Sequence, residues 1–263
     1  MKREEFIEKC GSDDFYFSDT THVSCSMLKK VLKSPKHLKD YLNKPNISTP
    51  AMTFGSAFHC LLLEPEKFND QFYILDINQR PDPEMTMAAK VNKDWKALEL
   101  STAKELGKSL ISETDLDKLD LMIESAMQHD EIRKYVSESK REVPNAWEVG
   151  GIKCKGKFDL LAFDYIADFK TTAELKGITK FGYDCREHDY DMQAAFYCDS
   201  MGLDQFKFIV VSKKEPYNVA VYDASEEFLA RGRAKYMEAL DIYDKYFLSC
   251  DEEISSYLEK GTL

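Results

Sequence analysis

Asp159, Asp168 and Lys170 have the types and the spacing to hold a divalent cation against a phosphate. They fall in Gly156–Thr172, GKFDLLAFDYIADFKTT, where the β-forming runs Lys157–Phe163 and Tyr165–Phe169 flank a turn at Phe163–Asp164. That pattern predicts a β-hairpin. Successive strand residues alternate faces, so Asp168 and Lys170 share one face and Phe169 takes the other. Pairing Ala162 with Tyr165 sets Asp159 directly opposite Asp168, with Cβ atoms roughly 5 Å apart. Two facing carboxylates repel unless something positive lies between them. Mg2+ takes oxygen ligands, with water and phosphate completing its shell. One or two such ions would lower the pKa of a bound water and neutralise charge on a phosphodiester under attack. Lys170 would orient or deprotonate that water, or hold the phosphate. Alone, D-x-K is a weak signal, met more often as solvated aspartates beside a lysine. Here Leu160, Leu161, Ile166, Ala167 and Phe169 mark a central strand, where unpaired charge is costly.

Other elements must bring partners to this hairpin. Upstream, Arg141–Val149 alternates like a strand and Gly150-Gly151 turns it into Ile152–Lys157. Glu142 and Glu148 lie on that strand, and either would add a carboxylate or simply be solvated. Thr53-Phe-Gly-Ser leads into a short buried helix, Ala57–Leu63, with one histidine, His59, which taken alone reads as a satisfied core residue. Downstream, a helix from Tyr190 to Met201, capped by Asp189 and stopped by Gly202, carries Gln193 and Tyr197 on one face. Ser24 or Ser26 caps a helix over Met27–Leu32 that continues from Pro35 to Leu42. Lys29, Lys30, Lys33 and Lys36 make that stretch locally basic, which suits either a solvated face or a phosphate-contacting surface.

The remainder reads as an irregular lead-in over residues 1–20, a short strand near Gln71–Leu75, helices throughout Met87–Val136, strands Phe206–Ser212 and Asn218–Tyr222, and a closing helix Ser225–Phe247. The expected fold class is α/β: one mixed central sheet flanked by helices, in a single domain spanning 1–263.

Composition narrows the function classes. The chain is 43% hydrophobic and 32% charged, as in soluble globular proteins. Its longest apolar cluster, Phe58–Leu63, is too short to span a membrane, so a cytoplasmic protein without membrane contact is expected. Seven cysteines without a C-x-x-C pair argue against a disulfide framework, a zinc ribbon and an iron–sulfur cluster. A net charge of −11 argues against a passive nucleic-acid coat, but not against an enzyme that confines positive potential to one groove.

In order, G-K-F-D159, A-D168-F-K170 and Q193-A-A-F-Y197 resemble the PD-(D/E)XK nuclease superfamily, including the Q-x-x-x-Y motif of its RecB-like branch. The segment G55-S-A-F-H59-C-L-L-L-E-P65 and the entry S24-C-S-M-L with S34-P35 are similar to RecE-like (exonuclease VIII) domains. The resemblance covers roughly 24–247 and departs in having Asp168 where glutamate is common. It implies a PD-(D/E)XK restriction-endonuclease-like core. It implies metal ligands His59, Asp159, Asp168 and the Phe169 backbone carbonyl, with catalytic roles for Asp159, Asp168, Lys170, Gln193 and Tyr197. It further implies a Mg2+-dependent exodeoxyribonuclease, with Mn2+ as a possible substitute, that resects linear double-stranded DNA ends 5′ to 3′. The 3′ strand would pass to a RecT-like annealing protein, in a bacterial or phage-infected cell. A toroidal homotetramer would put an acidic surface outside and a basic track inside, with Lys29, Lys30, Lys33 and Lys36 as candidates for the track. An endonuclease or structure-specific nuclease on the same fold, and a non-catalytic DNA-end-binding module, are the competing readings.

Overall fold

Apolar alternation between residues 140 and 223 builds five strands of a six-stranded mixed sheet, the sixth being Val23–Ser24, in the computed structural model, which describes residues 2–44 and 48–258. Residue 1, residues 45–47 and residues 259–263, all inside the expected domain, lie outside the described residues. In chain order the elements begin α1 (Arg3–Lys9), α2 (Asp13–Ser18), β1 (Val23–Ser24), α3 (Cys25–Lys33), α4 (Pro35–Asn43), α5 (Pro50–Leu63) and α6 (Phe68–Gln71). They continue with β2 (Phe72–Leu75), α7 (Lys90–Glu105), β3 (Ser109–Ser112), α8 (Glu113–Met127), α9 (Asp130–Glu138), β4 (Lys140–Val149) and β5 (Ile152–Leu161). The last are β6 (Ile166–Thr172), α10 (Ile178–Glu187), α11 (Tyr190–Met201), β7 (Phe206–Ser212), β8 (Val219–Asp223) and α12 (Glu226–Tyr243).

The main sheet runs β1-β5-β6-β7-β8, with β4 paired to the other edge of β5. Parallel pairs (β1–β5, β6–β7) and antiparallel ones (β4–β5, β5–β6, β7–β8) alternate across it. One face packs Phe158, Ile166, Phe208 and Val210 under α3, α11 and α12. The other packs Leu160, Ala167, Phe169 and Ile209 under α5, α8 and α9. β1 and β6 share one edge of β5 but meet it at different places, Cys154–Lys155 and Leu160–Leu161. Between them neither strand is paired with β5, and Asp159 lies in that gap.

Several sequence expectations change. The lead-in is helical: Phe6, Cys10 and Tyr16 are buried against Ala146 of β4. The helical stretch Met87–Val136 is interrupted, because Gly107 in the left-handed region (φ 70°) ends the α7 segment and Ser109–Ser112 pairs with Phe72–Leu75. Leu110 therefore lies on β3, and a second, two-stranded parallel sheet joins the expected one. On α7, Val91, Leu98 and Leu100 face solvent, while Asn92 and Ala103 are buried. Asn92 earns its place by binding the carbonyls of Asp82, Met85 and Thr86. The His59 helix starts earlier than expected, at Pro50, since the Thr49 hydroxyl accepts the Met52 N–H at 3.3 Å. Asp189 precedes α11 but does not cap it; its backbone is left-handed and its carboxylate binds Lys235 at 2.8 Å.

Candidate active site

The hairpin forms in the expected register. Leu160 pairs with Ala167, Leu161 with Ile166, and Ala162 N–H donates to Tyr165 O at 3.0 Å, which carries Asp159 opposite Asp168. The backbone ladder then stops. Asp159 Oδ2 instead accepts the Phe169 N–H at 2.8 Å, so a side chain occupies the place of a strand carbonyl. β4 continues the row from the other side: Arg141 faces Leu160 and Val143 faces Phe158, which places Glu142 beside Asp159. Glu142 adopts a left-handed backbone (φ 48°), a strained geometry for a residue with a Cβ and one concentrated at functional positions.

α5 delivers His59, whose Nδ1 lies 3.2 Å from Asp159 Oδ2. The donor atoms of His59, Glu142 and Asp159 all fall within 4.8 Å of one another. An imidazole and two carboxylates suit a divalent cation. Of the two glutamates considered, Glu142 therefore joins the site, and Glu148 stays on the surface opposite Lys153. Asp168 is not one of those three groups. It is 3% exposed and faces α11, where Gln193 Nε2 donates to its Oδ1 at 2.8 Å. The same Gln193 accepts from Lys170 Nζ at 3.1 Å, and Lys170 Nζ lies 2.6 Å from Asp168 Oδ2. That approach is off the hydrogen-bonding direction, which leaves a buried carboxylate oxygen without a hydrogen-bond donor. A cation beside Asp159 and Asp168 would satisfy it, so the residues present fit the metal that the motif implies.

The remaining predicted residues divide. Tyr197 lies one helical turn from Gln193, but its ring packs on Phe158 at 5.0 Å and against Gly156, and its hydroxyl makes no hydrogen bond among the described residues. Lys29 reaches the site, 5.3 Å from the Tyr190 ring whose centroid is 4.6 Å from Lys170 Nζ. Lys30 turns over Tyr41 instead, and Lys33 and Lys36 are exposed. Lys29 and Lys30 thus point to different aromatic neighbours, and of the four only Lys29 is seen beside Lys170. Tyr190 and Lys157 were not anticipated. Lys157 was detectable, because it is two residues from Asp159 on the same strand and so projects to the same side.

Burial penalises charge throughout this cluster, and specific neighbours decide each outcome. For His59 burial opposes the imidazolium, but Asp159 prevails and raises its pKa to about 9. Burial opposes ionisation of Asp159, yet His59, Lys170 and the Phe169 N–H hold its pKa below the ordinary value. Burial and the neighbouring Asp159 push Asp168 upward against Lys170. Burial and Asp159 raise Glu142 to about 7 despite Lys157. Burial disfavours the Lys170 ammonium, but Asp168, Tyr190 and Asp159 keep it charged.

The His59–Asp159 pair carries a pH signature. A histidine whose pKa is raised on folding stabilises fully below its unfolded value, about 6.5, and that contribution fades as pH climbs to about 9. Asp168 and Glu142 act on the same imidazole and raise its pKa further. In EDTA, the difference in melting temperature between parent and His59→Ala is expected to be largest near pH 6 and to fall by pH 10 to a constant remainder from lost packing on Phe58 and Phe169. A difference that grows with pH would contradict the pairing.

The PDDEXK-like domain of unknown function (DUF3799) matches residues 24–251. The chain belongs to this family. No curated protein sequence matches it. Among solved structures it is similar to a putative exonuclease from Eubacterium rectale, with 14% identity, a TM-score of 0.63, and 96% of this chain and 95% of that one covered. A phage related exonuclease from Haemophilus somnus 129PT is more distant, at 15% identity and a TM-score of 0.35 over 87% of this chain and 96% of that one. The mixed sheet flanked by helices is thus a PD-(D/E)XK-type core, and the enzyme class is nuclease. No helix among the described residues is long and apolar enough to cross a membrane.

Proposed function

We propose that this chain is a Mg2+-dependent exodeoxyribonuclease that resects linear duplex DNA from its ends, 5′ to 3′, leaving 3′ strands for recombination by annealing. The observation that carries the reading is the Gln193 side chain, which bridges Asp168 and Lys170 and so fixes both beside Asp159 and His59. When bound, the divalent cation supplies Lewis acidity and a water of lowered pKa. Asp159, Asp168, the Phe169 carbonyl, His59 and Glu142 are its proposed protein ligands. Lys170 is held charged, so it contacts the phosphate as a cation rather than taking a proton. Lys29, near the same Tyr190 ring, adds positive charge where the substrate phosphate arrives. Mn2+ would substitute for Mg2+ on the same donors. A RecT-like annealing protein as partner, a cytoplasmic setting and a ring-shaped homotetramer belong to the same proposal. A ring would reconcile a net charge of −11 with a basic track.

End dependence tests it. Linear duplex labelled at the 5′ or the 3′ end and a covalently closed circle of the same sequence are incubated with Mg2+. Early release of the 5′ label with an intact circle is the expected result; equal attack on the circle favours the endonuclease reading instead.

A further inference from the structure

We infer that Asp13, at the start of the second N-terminal helix, acts through Lys157 as a positioning residue for Glu142. The inference rests on the metal-site reading above. Lys157 Nζ lies 2.7 Å from Glu142, 2.8 Å from Asp13 and 3.7 Å from Glu64. One ammonium therefore serves three carboxylates, and only Glu142 among them belongs to the group around His59 and Asp159. Asp13 is itself aimed, because its second oxygen accepts from Gln71 Nε2 at 2.9 Å. With Asp13 drawing on Lys157, the ammonium orients Glu142 without monopolising it. With Asp13 neutralised, Lys157 leans further onto Glu142, its nearer remaining partner at 2.7 Å against 3.7 Å for Glu64, and competes with an incoming cation.

Asp13 precedes the family match, which begins at residue 24. The segment that carries it is nevertheless firmly attached. Lys155, 3% exposed, donates to the backbone carbonyls of Tyr16 and Asp19 and lies 3.2 Å from the Asp19 carboxylate. Arg3 donates to Asn145 Oδ1 at 2.9 Å. Asp13 and Asp19 therefore anchor the same segment to β5, but through different lysines, and only one of those lysines touches Glu142.

This difference supplies the test: Mn2+ titration of the full chain by calorimetry, without DNA, alongside thermal melting. Asp13→Asn is expected to weaken Mn2+ binding about tenfold, the usual scale for groups that orient metal ligands. Asp13→Glu should restore it. Asp19→Asn should lower the melting temperature yet leave Mn2+ affinity within about twofold of the parent. Parent-like Mn2+ binding by Asp13→Asn, or equal weakening by Asp19→Asn, overturns the positioning role alone. A parent chain that takes up no Mn2+ overturns this inference and the nuclease reading together.

Discussion

Asp159→Asn is expected to slow phosphodiester hydrolysis by about a hundredfold to a thousandfold, the scale for losing one preorganised electrostatic group. Asp159 stands at the centre of the row, between Glu142 on β4 and Asp168 on β6, and both strand ladders are interrupted beside it. Its Oδ2 meets His59 and the Phe169 N–H together. Asparagine keeps an oxygen that can accept from Phe169, so the hairpin should persist. It removes the charge that pairs with His59 and would bind the cation. Single-turnover release of nucleotides from labelled linear duplex measures the rate, and melting confirms that the fold is retained. DNA binding should hold or tighten, since one negative charge facing the phosphates is gone. Activity within a few fold of the parent would remove Asp159 from the site.

The second large effect is on stability. Gly232→Ala should cost about 3 kcal/mol or more, because overpacking that only backbone movement can relieve lies at the upper end of its range. A Cβ at Gly232 would stand 1.9 Å from the Asp191 carbonyl oxygen and 2.3 Å from its carbon. Neither is a flexible side-chain tip. α11 and α12 cross here at backbone distance, and the fully buried Asp191 side chain binds Arg231 Nε at 2.6 Å and Lys235 Nζ at 3.0 Å across the crossing. For a domain of this size the melting temperature should fall by about 6–12 °C. Gln193 lies two residues from Asp191, so the surviving folded fraction should also lose activity beyond its loss of population. A change in melting temperature under 2 °C would show that the helices can part freely.

How far the sequence disclosed this arrangement depends on how local the information is. The hairpin register follows from a short turn and strict alternation, so Asp159 and Asp168 could be placed to the residue. Gln193 was legible because Gly202 stops the helix Tyr190–Met201 cleanly and helical spacing then sets its face, although the expected Asp189 cap does not form. Glu142 was legible only as one of two options, since its left-handed backbone shifts a side chain that alternation alone cannot assign. The helices Arg3–Lys9 and Asp13–Ser18 were hidden because each is short and gains its stability from packing on β4. β3 was hidden for a similar reason: four residues next to strong helix formers take their strand character from Phe72–Leu75, over thirty positions away. The side of β5 that Lys157 occupies was readable from its spacing to Asp159, but its three carboxylate partners come from distant segments that only the fold brings together.

Because the Phe169 amide is bonded to the Asp159 side chain rather than to a neighbouring strand, its proton is a built-in reporter. Elsewhere in β6, amide exchange with solvent follows the opening of backbone ladders. At Phe169 it follows the residence of one carboxylate oxygen. Peptide-level deuterium uptake across Ile166–Thr172 can therefore record how that carboxylate divides its time between amide and cation, on the resting protein and without any turnover.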